Sequence, residues 1–150
     1  MLPPNISAAQ RFVDLVTIGQ APSLGTLARC LDELALSYHD TPFGEPSESA
    51  EEPARETRVK YADIDARFPD LGFYGWADPK EVPGQLLIGD AVDDIMDIAN
   101  DLKEVLWRFE RFGPDDAHWY FRFLYRSHWG GHLRDLARYL HSRLRFEEEE

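Results

Sequence analysis

The chain has 150 residues, 43% hydrophobic and 13% aromatic, which suits one domain with a packed interior and argues against global disorder. Its formal net charge is −12, from 16 basic and 28 acidic residues, with no basic stripe to offset it, so nucleic-acid and anionic-membrane binding are disfavoured. A single cysteine, an N-terminus without the pattern of a secretory signal, and no run of the ~20 apolar residues that span a bilayer make the cytoplasm the default expectation.

Near the start, "SAAQ" is a capping box formed by Ser7 and Gln10, which predicts a first helix with Phe12, Val13, Leu15, Val16 and Ile18 facing inward. Gly19 ends it. Ser23 caps a second helix whose inward face carries Leu24, Leu27, Leu31, Leu34 and Tyr38, with Cys30 as a small buried hydrophobe among the leucines. The short connection predicts an antiparallel pair. Residues 41–58, "TPFGEPSESAEEPARETR", hold three prolines and five glutamates and almost nothing to bury, which predicts a mobile acidic loop. Val59, Tyr61, Ile64 and Phe68 suggest a short third helix stopped at Pro69. The Gly- and Pro-rich "LGFYGWADPKEVPG" reads as an ordered loop pinned by Phe73, Tyr74 and Trp76, and no alternation calls for a sheet. A long helix follows from Asp90 to about Phe112, then Gly113-Pro114 as a boundary, then a final helix from Asp115 to about Arg145. The acidic residues 146–150 are expected to fray. The whole is an all-α, single-domain bundle of about five helices.

Two segments carry candidate chemistry. In the fourth helix, "DAVDDIMDIAND" places Asp90, Asp94, Asp97 and Asp101 in a strip about 60° wide, with Asp93 and Glu104 at its edge. Such carboxylates can bind Mg²⁺ or Mn²⁺, but an amphipathic helix is charged on its outer side anyway, so a solvated face or an ion-pair partner is the expected role and a divalent metal the alternative. No other cofactor is implied. In the final helix Trp119, Trp129, Leu133, Leu136, Ala137, Leu140 and Leu144 share a face with Arg122 and Arg126. Arginines so placed need partners. Pairing with the Asp-rich helix is expected, with an anion-binding cleft as the alternative.

Phe121, Tyr125, His128, His132 and Tyr139 form a second stripe, so this helix is apolar or aromatic over most of its circumference and is expected to be central. His128 and His132 have the i, i+4 spacing of the zinc motif His-Glu-x-x-His, but Trp129 occupies the glutamate position. Two histidines alone do not complete a zinc site. Gly130 and Gly131 cost ~1 kcal/mol each against alanine in a helix, which a close backbone neighbour, expected to be the loop around Trp76, would offset. A ligand lying over the glycines is the second possibility.

The sequence "DDIMDIANDLKEVL", a tight turn, and "AHWYFRFLYRSHWGGHLRDLARYLH" together resemble the bacterial family catalogued as domain of unknown function 5063. The resemblance runs from about Val59 to His141, and His128, Trp129, Gly130 and His132 are its most specific part. "YGWADP" is similar to the family's aromatic-Asp-Pro segment through Trp76, Asp78 and Pro79. The resemblance implies a helical fold and no mechanism. With no nucleophile–base pair, phosphate loop or complete metal set in view, the leading expectation is a non-enzymatic binding or adaptor protein, with a basic-surfaced protein as a suitable partner. The alternatives are a metal-dependent hydrolase of a small phosphorylated molecule, using the Asp strip with Arg122 or Arg126, and a small-ligand sensor with a pocket lined by Tyr125, His128 and Trp129.

Overall fold

The structure is a computed structural model and describes residues 1–147. Six α-helical segments, α1 (Pro4–Thr17), α2 (Leu24–His39), α3 (Tyr61–Arg67), α4 (Ala91–Phe112), α5 (Pro114–Leu124) and α6 (Gly130–Leu144), are joined by irregular segments and one two-stranded hairpin. A π-helical turn, Tyr125–Trp129, links α5 to α6 without a break, so five helices are present, as the periodicity predicts. The 146–150 tail expected to fray falls largely outside the described residues, since 148–150 are not among them.

Helix α1 starts earlier than the capping box implies. Pro4 occupies its first turn with Pro3 at the N-cap, and the Ser7 N–H donates to the Pro3 carbonyl. Proline suits that position because its fixed φ is helical and its missing N–H would have had no partner there. Leu15 is half-buried and Ile18 lies exposed past the helix end, so the inward face is Ile6, Ala9, Phe12, Val13 and Val16. Arg67 from α3 reaches back to the Leu15, Ile18 and Gly19 carbonyls, satisfying acceptors that the end of α1 leaves free. Ser23 caps α2 as expected, accepting from the Thr26 N–H.

Helix α1 packs on α2 and α4, and α6 packs on α2 and α4, which closes a four-helix ring with Phe12, Leu27, Leu31, Leu34, Ile95, Leu102, Trp129 and Leu133 inside it. Helix α4, which also touches α3 and α5, is therefore the central element rather than the final helix. The Gly-rich segment contains a small sheet that the sequence did not announce. Strands β1 (Phe73–Trp76) and β2 (Leu87–Asp90) pair antiparallel with Tyr74 opposite Gly89. Four residues per strand are too few for alternation to show. Tyr74 and Trp76 are half-buried, but Phe73 turns outward and is exposed, so two of the three rings pin the segment.

The 41–58 segment, expected to be mobile, is mostly exposed but anchored. The Thr41 hydroxyl donates to the Ser37 carbonyl, and Gly44, at φ +65°, lies against the backbone of Asp115 and Trp119. The Ser47 N–H donates to Asp116 at 2.8 Å, Arg111 pairs with Glu51 at 2.6 Å, and Val59 exchanges two hydrogen bonds with the Asn100 amide. The anchors are polar side chains of α4 and α5, which the loop's own composition does not reveal.

The guanidinium buried deepest between the last helices belongs to neither Arg122 nor Arg126. Arg108 is 5% exposed, pairs with Glu104 at 2.9 Å and with Asp116 at 3.5 Å, and lies 3.5 Å from the Tyr120 ring centroid. Arg108→Ala leaves Asp116 buried and uncompensated, so urea unfolding should show a loss of roughly 3–5 kcal/mol. In a double-mutant cycle, removing Asp116 as well should cost much less than the sum of the single changes.

A second expected outcome concerns His118, buried on α5, whose Nδ1 meets the Asn5 side chain at 3.1 Å. Burial lowers its pKa below the ordinary 6.5, so the folded protein holds it neutral while the unfolded chain takes a proton. Stability is then untouched above about pH 6.5 and falls as pH drops through the window below it. His118→Gln should flatten that part of the melting-temperature profile and leave the profile above it unchanged.

Candidate metal centre

The core face of the last helix changes phase along its length. Ala117 and Phe121 point inward from α5, and at 3.6 residues per turn the same face would continue through Tyr125, His128, His132 and Tyr139, the second stripe seen in the sequence. The π-turn, closed by the Gly130 N–H donating to the Tyr125 carbonyl, inserts one residue and advances the phase by one. Trp129, Leu133, Leu136 and Leu140 become the inward set. His128 and His132 are left on the flank of the helix, facing α4.

There they meet the aspartate strip. His132 Nδ1 lies 2.6 Å from Asp94 and its Nε2 lies 3.1 Å from Asp97. His128 Nδ1 lies 2.7 Å from Asp101 and its Nε2 lies 3.8 Å from the same Asp97 oxygen. One ligand atom from each of Asp97, His128 and His132 falls within 4.8 Å of the others. Asp94 is only 4% exposed and its second oxygen accepts from the Tyr74 hydroxyl of β1. Metal-binding histidines almost always have the far ring nitrogen held by a carboxylate, which fixes the tautomer and aims the other nitrogen at the ion. Both imidazoles here have that support.

The electrostatics follow from crowding. The hydrogen bond to Asp94 holds the His132 imidazole above its usual pKa, with Asp97 and Asp93 adding to it and burial working against it. Burial raises Asp101, and burial with the neighbouring Asp97 raises Asp93. Protonated on both nitrogens, His132 would bridge Asp94 and Asp97, and an added cation would take the place of its Nε2 proton.

The structure therefore brings together Asp94, Asp97, Asp101, His128 and His132, so of the two roles expected of the strip it is the pairing one, with histidines as the partners, that Asp94, Asp97 and Asp101 take. Asp90 stands apart as the N-cap of α4, accepting from the Val92 N–H and from the Tyr61 hydroxyl. Arg122 is held elsewhere, donating to the Thr41 carbonyl and lying over the Tyr38 and Phe43 rings, and Arg126 is exposed. Neither pairs with the aspartates. Tyr125 stacks on Tyr38 at 3.9 Å, and its hydroxyl accepts from Arg134. Trp129 is wholly buried against Phe121 and Tyr125, so it packs the core. The role of Tyr74 as a hydrogen-bond donor and the closeness of Asp93 to Asp97 escaped the sequence reading. The one available signal was the pair of stripes offset by one residue.

A helical bundle with a carboxylate–histidine cluster between two of its helices is the class of protein that this geometry defines. The chain belongs to the family described as Domain of unknown function (DUF5063), whose model matches residues 45–145. Its fold is similar to the crystal structure of protein BF1032 from Bacteroides fragilis, at 17% identity and a TM-score of 0.73, over 98% of this chain and 94% of that one. No curated protein matches the chain. Among the described residues, no helix is long and apolar enough to cross a membrane.

The two glycines differ sharply, and the neighbour that crowds one of them is not the loop around Trp76. A Cβ at Gly130 would collide with the Tyr125 carbonyl across the π-turn and sit 2.9 Å from the Tyr125 ring, whereas a Cβ at Gly131 meets nothing within 4 Å. Gly130→Ala should therefore destabilise by about 1–3 kcal/mol. Gly131→Ala should stabilise by up to ~1 kcal/mol through helix propensity alone. Chemical denaturation of both variants should give shifts of opposite sign.

Proposed function

We propose that this protein is a binding protein whose ligand is a single divalent transition-metal ion, held by the Nε2 atoms of His128 and His132 and a carboxylate oxygen of Asp97. The observation that carries the reading is the paired orientation of the two rings, each Nδ1 on its own carboxylate and each Nε2 turned toward a third. Imidazole donors favour zinc, iron, nickel or copper over the all-oxygen preferences of magnesium and calcium. Three protein ligands leave at least one coordination position for water or another small donor. Hydrolysis of a phosphorylated molecule finds less support, because of the two guanidiniums it would use, Arg122 is committed to Thr41 and two aromatic rings, and Arg126 is exposed and makes no ion pair with the aspartate strip.

Cobalt(II) is the probe, since its visible ligand-field bands report coordination by imidazole and carboxylate. Metal-stripped protein should bind it at one equivalent with a Kd below about 10 μM. It should also melt higher, since an ion at 100 times its Kd adds about 2.7 kcal/mol to the native state. His132→Ala and Asp97→Asn should each weaken binding at least about 100-fold, as loss of a direct ligand should exceed the 10–100-fold cost of losing a group behind one. Absence of saturable binding below about 100 μM, or binding that survives both histidine substitutions, would overturn the proposal.

A further inference from the structure

Behind the metal ligands stands a second line of contacts that begins on the hairpin. The Tyr74 hydroxyl donates to Asp94 Oδ2, while Asp94 Oδ1 takes the Nδ1 of His132. The two carboxylate oxygens are thus divided between a tyrosine from β1 and the histidine from α6. The ring of Tyr74 stacks on Tyr139 at 5.0 Å and crosses over Gly89, its partner in the register. A Cβ at Gly89 would collide with the ring and stand 2.7 Å from the hydroxyl oxygen. No side chain at position 89 leaves the tyrosine where it is. The bare backbone of β2 is the seat that allows Tyr74 to reach α4.

We infer that Tyr74, seated on Gly89, is a positioning residue for the metal centre, setting the affinity of His132 for the ion through the orientation of Asp94. This rests on the proposed metal reading and adds to it a controlling element outside the ligand set. Without the hydroxyl, the Asp94 carboxylate is free to rotate about its side chain or to offer both oxygens to the histidine. The Nδ1–H of His132 then loses its fixed acceptor and Nε2 loses its aim at Asp97. The hairpin also forms one wall of a cavity of about 340 Å³, lined by Tyr74 and Trp76 on one side and Asp135, Arg138 and Tyr139 on the other. The control point is thus next to solvent-accessible space, while the carboxylate it acts on is buried.

The test is a set of cobalt(II) titrations on metal-stripped full-length wild type, Tyr74→Phe, Gly89→Ala and the double variant. Tyr74→Phe keeps the ring and its stacking, and should weaken binding roughly tenfold, at the low end of what loss of a supporting contact costs. Gly89→Ala should weaken it comparably, and the double variant should be no weaker than either alone, because both act through one hydroxyl. Nitrogen-15 shifts of His132 in the metal-free protein, above its imidazole titration, supply a readout that general destabilisation does not move. Wild type should hold one tautomer, protonated at Nδ1, and Tyr74→Phe should show a mixture. Wild-type cobalt binding with an unchanged Tyr74→Phe affinity removes this inference alone, as does additive weakening in the double variant. A wild type that does not bind cobalt removes the metal reading and this inference together.

Discussion

One backbone hydrogen bond, from the Gly130 N–H to the Tyr125 carbonyl, sets the division of labour in the last helix. A regular helix presents a single phase, and a helix that must fill a core along its whole length has one inward stripe. By widening one turn, this helix acquires two phases and uses each for a different purpose. Its first half buries Ala117 and Phe121, and its second half buries Trp129, Leu133, Leu136 and Leu140. The stripe displaced by the shift contains both histidines. The π-turn is uncommon and costs good hydrogen-bond geometry, and it persists where the surrounding packing fixes both phases at once. Here the wholly buried Trp129 is the residue that does so.

The centre also shows how a bundle accommodates carboxylates near its interior. Asp116 is matched by the guanidinium of Arg108, a permanent cation in contact with an aromatic ring. Asp94, Asp97 and Asp101 face imidazoles, which carry charge only when protonated. The first arrangement is closed and belongs to the architecture. The second leaves the charge balance dependent on a proton or another cation, which is the condition expected of a site and unusual for a structural ion pair. The acidic groups on these two adjacent helices thus have opposite characters, decided by whether their partner can lose its charge.

Much of this was legible from residue patterns. The five helices, the Ser23 cap, the start of α4 near Asp90, the Gly113 boundary and the buried Cys30 follow from apolar spacing and local backbone preferences, which depend only on neighbours in sequence. The anchoring of residues 41–58 was not legible, because its partners Asn100 and Asp116 lie on helices far along the chain. The pairing of histidines with aspartates was missed for a related reason. Both sets appeared in the sequence as i, i+4 patterns, but a uniform 100° per residue cannot say which stripe of the final helix meets α4. A shift of one residue decides it. Arg122 and Arg126 drew attention by standing on an apolar face, and the same shift explains why neither is buried among the aspartates.

The family match begins at residue 45, after α1 and α2, although Phe12, Leu27, Leu31 and Leu34 are wholly enclosed by the helices that follow. The boundary of sequence similarity therefore runs through the middle of a continuous interior. A segment cut at that boundary would expose the apolar flanks of α4 and α6 to water. The 45–145 stretch does not close that interior by itself, and the similar fold of the Bacteroides fragilis protein extends over 98% of the chain, the first two helices included.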